Sequence, residues 1–345
     1  MIEIDGSYGE GGGQILRNTI ALSTITKKPV KVVNIRANRP NPGIKAQHYV
    51  AIKSIQELCD AEVEGLEIGS SKITFYPGEI KGGRYRFDIG TAGSITLVFQ
   101  ACILASVQTK KPIKIKLTGG TDVKWSPAWD YFEHVFLPLL HKTGVDVKPH
   151  LVKRGYYPKG GGEAEIEIKP IETIKPLKLS DHQDFSEVKG IVHIGSLPEN
   201  ISTRIKHTVI KTLLKKAFMT SIEIDKSKTL SPGTGVTLWA ESKDTVLGAA
   251  VLGEKGVTSE EVGEKAVLNI VREIESGATL DVYAFDQLLP YMVLACKNGV
   301  SSCKIRELSN HASTNMWLLQ QFFDVDFEAL QNETNIHITI RRKHL

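Results

Sequence analysis

The sequence predicts an α/β (α+β) fold: a large domain of three repeated units, each a small sheet with two helices, and a smaller inserted α/β domain. Two observations predict it. The segment TKKPVKVVNI at 26–35 returns as TKKPIKIKLT at 109–118, and helical and strand-like patterns alternate around both copies. The chain has 345 residues, of which 41% are hydrophobic and 24% charged, which is typical of a globular protein with a sizeable core.

The first two copies predict one order of elements, namely a glycine-bearing loop, a helix, a strand, a loop, a second helix and a short strand. In the first copy the helices are predicted over 14–23 and 46–58 and the last strand over 61–63. In the second copy they are predicted over 95–106 and 129–142, with the last strand over 145–147. The repeat therefore extends well beyond the ten matching positions.

A third copy fits the C-terminal part of the chain with weaker identity. A helix is predicted from 286 to 297, a strand over 302–308, a loop over 309–314, a helix ending at 323 and a strand over 325–327. Residues 181–280 do not follow this order, because they predict helices over 203–217 and 259–276 and strands over 222–226 and 236–242. We therefore predict a large domain made of residues 1–180 and 281–345, and an inserted small domain made of residues 181–280.

Positive charge is concentrated near the N-terminus. No acidic residue occurs between Glu10 and Glu57, and this interval holds eight basic residues: Arg17, Lys27, Lys28, Lys31, Arg36, Arg39, Lys45 and Lys53. A solvated basic face is one explanation. A run of one sign this long also indicates a polyanionic partner such as phosphate or nucleic acid.

Other classes of protein are disfavoured. The four cysteines form no CxxC pair, so we expect buried thiols rather than a zinc site. The N-terminus resembles no secretory signal, and no apolar run approaches the roughly 18 residues of a membrane span. We therefore expect a cytoplasmic protein with no membrane partner.

We predict the functional site at the loops that follow the central strand of each copy, because equivalent loops of a repeat lie at the same end of the fold. They span 36–45, 119–127 and 309–315 and carry arginine, lysine, tryptophan and histidine. His311 lies among small polar residues, and an imidazole is a nucleophile near neutral pH. A hydrogen-bonded surface histidine is the alternative. The glycine-rich segment 9–14 precedes a helix and suits phosphate, although it lacks the lysine of a P-loop.

The motifs together resemble one known family. They are DGSYGEGGGQILR at 5–17, IRANR at 35–39, GTAGS at 90–94, LTGGTD at 117–122, YYPKGGG at 156–162, DQL at 286–288 and HASTN at 311–315. In this order and spacing they are similar to RNA 3'-terminal phosphate cyclases. The resemblance implies three repeated units with a smaller domain inserted before the third. It also implies that ATP and an RNA with a 3'-terminal phosphate are the substrates, and that AMP is carried on a histidine, here His311.

The resemblance assigns further roles residue by residue. Glu10 would lie near ATP and bind the divalent cation, Mg²⁺ or Mn²⁺. The other ATP contacts would be Gln100, Tyr283, Ala284, Phe285, Asp286 and Gln287. The RNA phosphate and the reacting phosphates would be bound by Arg17, Arg36, Arg39, Gln47 and His48. Trp125, Pro127 and Trp129 are candidates for stacking on a base, or else core residues.

Three alternatives remain. An enolpyruvyl transferase shares a related repeat architecture and basic anion sites, but it needs neither a nucleophilic histidine nor RNA. A non-catalytic RNA-binding homologue in ribosome biogenesis would lack the nucleophile, so His311 counts against it. A nuclease is disfavoured because no paired-carboxylate cluster of recognisable spacing occurs. The oligomeric state is open, a homodimer included.

Overall fold

A computed structural model describes residues 1–179 and 183–343 of the chain. The strands are β1 (Ile2–Asp5), β2 (Val30–Val33), β3 (Glu62–Glu64), β4 (Ile73–Tyr76), β5 (Gly83–Asp88), β6 (Ile113–Gly119), β7 (Val147–Lys153), β8 (Gly162–Ile168), β9 (Lys178–Leu179), β10 (Glu187–Gly195), β11 (Met219–Ser227), β12 (Gly233–Glu241), β13 (Val246–Leu252), β14 (Ser301–Ile305), β15 (Val325–Gln331) and β16 (Ile336–Arg342). The helices are α1 (Gly13–Thr26), α2 (Ala46–Cys59), α3 (Ile95–Ala105), α4 (Trp129–Tyr131), α5 (Leu137–Lys142), α6 (Asn200–Lys215), α7 (Ser259–Glu275), α8 (Val282–Leu294) and α9 (Asn310–Gln320). A π-helical turn, Phe132–Phe136, joins α4 to α5, and a 3₁₀ turn, Ala295–Lys297, follows α8.

Over residues 1–179 and 183–343, three of the four sheets share one topology, which confirms the predicted α/β repeat. Their strand orders are β1-β2-β4-β3, β5-β6-β8-β7 and β9-β14-β16-β15. In each sheet the first two strands are parallel and the last two join antiparallel. A helix connects the parallel pair, as a crossover between parallel strands requires. The repeated unit is therefore strand, helix, strand, helix, strand, strand.

The two matching sequence segments form the central strands β2 and β6. Along β6, Ile113, Ile115 and Leu117 are buried while the lysines between them face outward. That alternation is expected for a strand with one face on the core. On the outward face, Lys116 Nζ forms a salt bridge with Glu163 Oε2 of the neighbouring strand β8 at 2.9 Å.

Two predictions about the third copy are wrong. Residues 310–314 are not a loop but the start of α9, because the Ser309 hydroxyl accepts the N–H of Ala312 and caps the helix. Asp286 does not start its helix either. Asp281 is the N-cap of α8, where its carboxylate accepts the N–H groups of Tyr283 and Ala284 at 3.0 Å.

The segment 183–278, here called the insert, has a sheet of its own with strand order β11-β10-β12-β13. Helices α6 and α7 pack on each other and on this sheet, and a separate hydrophobic cluster lies between them. The chain enters from β9 and returns at Thr279 and Leu280, whose N–H groups both bond to the Lys304 carbonyl. The insert thus interrupts the third unit after its first strand, rather than preceding that unit. The proposed boundary at 180–181 lies outside the described residues.

A buried charge cluster joins the insert to the second repeat. The Arg154 guanidinium donates to Asp122 at 3.1 Å, to Asp130 at 2.7 Å and to Asp225 of the insert at 2.6 Å. His193 of β10 lies against Asp122 at 3.5 Å, so this histidine and two of the carboxylates have a spacing that suits a metal. Arg154 already supplies the positive charge between them. We therefore interpret the cluster as structural.

All four cysteines are buried and unpaired, as expected. Among the helices of residues 1–179 and 183–343, none is long and apolar enough to cross a membrane.

Candidate active site

The predicted nucleophile lies where three helices meet. Helix α9 packs against α8 and α1, so the first turn of α9 comes close to the start of α1. The glycine-rich segment before α1 completes this corner, and Tyr8, which directly precedes that segment, stacks on Trp317 of α9 with ring centroids 3.8 Å apart. Sequence positions near both ends of the chain are thereby brought together.

Both ring nitrogens of His311 have partners. Nδ1 lies 3.0 Å from Oε1 of Gln14, and Nε2 lies 3.0 Å from Oε2 of Glu10. The same Glu10 oxygen accepts from Arg39 at 3.2 Å. The histidine side chain is 47% exposed, so it remains accessible to a ligand. Glu10 thus lies between a candidate nucleophile and a candidate phosphate-binding arginine.

Behind His311 lies a chain of hydrogen bonds. Gln14 Nε2 donates to Asp286 Oδ1 at 2.6 Å, and Asn315 Nδ2 donates to the Asp286 carbonyl at 3.1 Å and to Oδ1 at 3.4 Å. Asn18 Nδ2 in turn donates to Asn315 Oδ1 at 3.1 Å. Gln14 and Asn18 are four residues apart on α1, as are His311 and Asn315 on α9, so each pair shares one helix face.

Asp286 is half-buried, and its desolvation raises the pKa of its carboxyl above the ordinary value. His311, the Gln14 and Asn315 amides and Arg17 act in the opposite direction. These neighbours favour the ionised form that accepts both amide bonds.

A cavity of about 690 Å³ opens beside His311. Helix α3 contributes Leu97, Gln100, Ala101 and Leu104, and the 123–128 loop contributes Trp125 and Pro127. Helix α8 contributes Tyr283, Asp286, Gln287 and Pro290, and the insert contributes Val251, Leu252, Lys265 and Asn269. The polar groups of the lining include Gln100, which bonds to Gln287, and Gln287 Nε2 donates to the Tyr283 carbonyl. The cavity combines an apolar wall with a few placed polar groups, as ligand sites do.

The segment 283–287, whose residues were predicted to contact ATP, divides by helical periodicity. Tyr283, Asp286 and Gln287 line the cavity, whereas Ala284 and Phe285 are buried in the hydrophobic core and do not face it. Of the three candidate stacking residues, Trp129 is likewise a core residue, and its Nε1–H donates to Glu133 at 2.6 Å.

Arg17 is a buried cation that lines the cavity. Within the described ranges, 1–179 and 183–343, its guanidinium has no hydrogen-bond or carboxylate partner. Burial lowers its pKa to about 10, against the attraction of Asp286, so it stays charged at neutral pH. An unpaired buried charge is unfavourable, and an anionic ligand would compensate it.

The remaining basic candidates lie around the same corner. Arg36 Nη1 donates to the carbonyls of Asn41 and Gly43 and so shapes its own loop. Burial lowers the pKa of Arg36, and the nearby positive charge of Arg39 lowers it further. Gln47 Oε1 accepts the N–H of Ser94 at 3.1 Å, which ties α2 to the 90–94 loop.

His48 packs against the start of α1. Its Nδ1 accepts the N–H of Lys45 at 3.2 Å, so Nε2 carries the hydrogen of the neutral ring. A Cβ at position 13 would overlap the imidazole, which explains the glycine there. The N-cap of α1 is Gly12, which has no side chain to cap the first turn, so the N–H groups of that turn are available to an anion.

Buried His48 makes the folded protein sensitive to acid. Burial lowers its pKa from 6.5 to about 2, and the positive charges of Arg17, Arg36 and Lys45 contribute to this decrease. Because the folded pKa lies below the unfolded one, the unfolded chain takes up this proton first. The native state therefore loses stability as the pH falls below about 6.5. Between about pH 7.5 and pH 5.5, we expect His48 to remove about 1.4 kcal/mol from the free energy of unfolding.

Urea unfolding of the wild type and of His48→Asn at both pH values measures this effect. The asparagine oxygen replaces the acceptor for Lys45, and buried His193, whose pKa burial also lowers, is present in both proteins. The loss of stability between the two pH values should be about 1.4 kcal/mol smaller in the variant. Equal losses in the two proteins would contradict the assignment.

Sequence reasoning missed Gln14, Asn18 and Asn315, and it gave the insert no part in the cavity. Gln14 and Asn18 flank Arg17 on a helix that follows the glycine-rich segment. Polar residues spaced four apart on an otherwise apolar helix were the available signal.

The comparisons with known proteins agree with one another. A family model described as "RNA 3'-terminal phosphate cyclase" matches residues 8–329. The chain is 46% identical over 331 residues to a Pyrococcus furiosus protein of that name, and the match covers 95% of each chain. Proteins of the same name from Nitrosospira multiformis and Methanosarcina acetivorans are each 42% identical. Their matches cover 98% and 99% of this chain and 96% and 100% of theirs. The chain therefore belongs to the RNA 3'-terminal phosphate cyclase family.

Proposed function

We propose that this protein uses ATP to convert the 3'-terminal phosphate of an RNA into a 2',3'-cyclic phosphodiester, with AMP carried on His311. Membership of the family and the name of its relatives support the reaction. The observation that carries the assignment of roles is the position of His311. It lies between a 690 Å³ cavity and the Glu10–Arg39 pair, with one ring nitrogen held by Gln14.

ATP would occupy the cavity. Its apolar wall suits a purine. Tyr283, which is exposed, and Pro127 both line the cavity and could stack on the base. Gln100 and Gln287 already bond to each other and would offer amide groups to the sugar or base. Lys265 and Asn269 extend this wall from the insert, so both parts of the chain would contribute to nucleotide binding.

The phosphates would lie at the basic corner. Among the residues that the structure describes, buried Arg17 has no hydrogen-bond partner, and Arg39 donates one hydrogen bond, to Glu10. The N–H groups at the start of α1 add positive potential. This corner is shaped and flanked by Arg36, Gln47 and His48. The RNA 3'-phosphate would meet the reacting phosphorus at this corner.

Glu10 would hold the divalent cation. Its hard carboxylate oxygens suit Mg²⁺ or Mn²⁺, which also bind phosphate oxygens. When bound, such an ion supplies positive charge that stabilises the departing pyrophosphate.

The proposed chemistry has three displacements. The Nε2 lone pair of His311 attacks the α-phosphorus, the N–P bond forms, and the P–O bond to pyrophosphate breaks. An oxygen of the RNA 3'-phosphate then attacks the same phosphorus and releases the histidine. Finally the RNA 2'-hydroxyl attacks its own 3'-phosphorus, AMP leaves, and a base takes the hydroxyl proton. The phosphoanhydride made in the second step supplies the good leaving group that a bare phosphate lacks.

Labelling with ATP that is radioactive at the α-phosphate tests this proposal. With Mg²⁺ or Mn²⁺ and no RNA, we expect label that stays with the protein on a denaturing gel and is lost in acid but not in alkali. RNA ending in a 3'-phosphate should discharge it and acquire a cyclic end, whereas the same RNA ending in a 3'-hydroxyl should not. Protein that binds ATP yet takes up no label with either metal would overturn the proposal.

A further inference from the structure

We propose that the edge of the second sheet binds the part of the RNA that precedes its 3'-terminal phosphate, with Arg84 and Arg86 of strand β5 contacting two backbone phosphates. This rests on the proposed function, because that function makes an RNA with a 3'-terminal phosphate the substrate. It gives the RNA a second contact surface, outside the corner that holds His311.

Arg84 and Arg86 are exposed cations on one face of β5. Over residues 1–179 and 183–343, neither guanidinium has a hydrogen-bond or carboxylate partner. The lysines of the next strand, β6, pair with glutamates of β8 on their other side. Strand β5 is at the edge of its sheet and has a hydrogen-bonded neighbour on one side only, β6. The charge of the two arginines is therefore not compensated within the sheet.

The register of the sheet places like charges next to each other. Arg84 lies directly opposite Lys114, and Arg86 lies directly opposite Lys116. Like charges directly opposite each other destabilise a pair of strands. The edge of this sheet thus concentrates positive charge at a cost in stability.

The first sheet provides a comparison within the same molecule. Lys31 has the position in TKKPVKVVNI that Lys114 has in TKKPIKIKLT. The residue directly opposite Lys31 is Glu3, and the two form a salt bridge at 2.8 Å. Equivalent positions therefore carry opposite charges in the first sheet and like charges in the second. Departures from favourable local pairing are expected where function requires them.

Strand β5 leads towards the candidate active site. Its C-terminal end continues into the 90–94 loop, where the N–H of Ser94 donates to Gln47 at 3.1 Å. Gln47 is one of the residues proposed to flank the RNA 3'-phosphate. Helix α3, which follows this loop directly, lines the cavity. The arginine edge is therefore continuous with the corner at which the RNA would end.

The spacing of the arginines suits a nucleic-acid backbone. Alternate residues of a strand are about 6.8 Å apart, which is close to the separation of neighbouring phosphates in an extended single strand. Guanidinium groups bind phosphate through paired hydrogen bonds. Asp88, the next residue on this face, accepts the N–H of Gly90 at 2.8 Å and so forms part of the turn. An RNA that leaves the corner along β5 would meet Arg86 first and Arg84 second.

Salt-dependent binding of RNA tests this surface. The wild type and Arg84→Gln/Arg86→Gln are titrated with a single-stranded RNA of about twelve nucleotides that ends in a 3'-phosphate, without ATP or metal. Each phosphate contact contributes about 0.7 to the slope of log K against log salt, so the slope should be smaller by about 1.4 in the variant. Because this contribution vanishes near 1 M salt, the affinity in 0.1 M salt should be about 25-fold lower.

Two controls accompany this titration. Lys211→Gln/Lys215→Gln removes the same charge from exposed positions of α6 in the insert and should bind the RNA like the wild type. Uridine 3'-monophosphate has only the terminal phosphate and cannot extend along β5. As a competitor, it should bind the wild type and the arginine variant equally well, within about twofold. A loss as large as that of the longer RNA would mean that the substitutions disturb the corner itself, and would overturn the proposal.

A charge reversal separates RNA binding from a structural role. Charged side chains on an edge strand also prevent sheets from pairing edge to edge. Arg84→Glu keeps a charge at the edge and places an opposite charge beside Lys114, as Glu3 does beside Lys31. We expect a urea midpoint of unfolding at or above that of the wild type, with an affinity for the longer RNA at least about fivefold lower in 0.1 M salt. Lower stability with unchanged RNA binding would show that Arg84 is structural.

The outcomes distinguish this inference from the proposed function. Equal salt slopes for the wild type and the arginine variant, in a protein that cyclises the RNA, would overturn the inference alone. A slope reduced as expected, in a protein that does not cyclise the RNA, would overturn the proposed reaction and leave the binding surface standing. An equal loss in the lysine control would mean that net charge rather than β5 determines the affinity, which would overturn the inference.

Discussion

Replacing His311 by asparagine should reduce labelling of the protein by ATP by at least about 10⁴-fold, a scale typical for loss of a catalytic nucleophile. Asparagine keeps a polar group near Gln14 but has no nitrogen lone pair able to attack phosphorus. The cavity is lined mainly by other residues, so ATP should still bind. Gel retention of the α-phosphate label, alongside equilibrium binding of ATP, measures the two effects separately.

His207→Asn is the matched control, because it makes the same change at an exposed histidine on helix α6 of the insert. It should label like the wild type. RNA that already carries the activated 3'-adenylate provides a second control. Ring closure needs no nucleophile from the protein, so His311→Asn should still convert this RNA. Label retained by His311→Asn would show that another residue carries AMP.

Replacing Arg154 by methionine should remove about 3 to 5 kcal/mol from the free energy of unfolding. Asp122 and Asp130 are almost fully buried and would lose the guanidinium that donates to both. Burial, with Asp122 adding, already raises the pKa of Asp130, so without Arg154 this carboxyl would be costlier still to ionise. The urea midpoint of unfolding measures the effect.

Lys169→Met is the control for charge removal itself. Lys169 pairs with Asp146 at 2.6 Å, but both side chains are about two-fifths exposed, 39% and 42%. Its loss should cost less than about 1 kcal/mol. Similar losses in the two variants would mean that the buried cluster contributes no more than a surface pair. Adding Asp122→Asn and Asp130→Asn to Arg154→Met should recover part of the stability, because the uncompensated charges are then removed.

The helices and central strands were predictable because their signals are local. The repeated TKKP segments predicted the strands β2 and β6. The amphipathic stretches after them predicted α2 and the helical run from Trp129 to Lys142. The short strand β9 was missed. It has two residues and exists only because Leu179 pairs with Cys303 of β14, far along the chain. The first strand of the insert, β10, was missed as well.

The chemistry of the site could be predicted from the sequence, but the hydrogen bonds between its residues could not. Motif order indicated His311, Glu10 and the arginines, since these residue types suit nucleotide chemistry. The bond from Gln14 to His311 joins residues 297 positions apart, and no pattern in a single sequence reports such a contact. Helical periodicity separates Tyr283 and Gln287, which face the cavity, from Phe285, which faces the core. That separation appears only once the helix is placed.

The interruption of the third sheet also constrains how the chain folds during synthesis. The first two sheets can close as soon as their own residues have been made, because all their strands are consecutive. Strand β9 must instead wait for β14, since Lys178 pairs with Ser302. At ordinary rates of translation, that delay is on the order of ten seconds. The insert has a hydrophobic cluster of its own and can assemble during this interval. The corner that holds His311 needs α9, which follows β14 in the chain, so it forms after the parts of the cavity wall that come from α3 and from the insert.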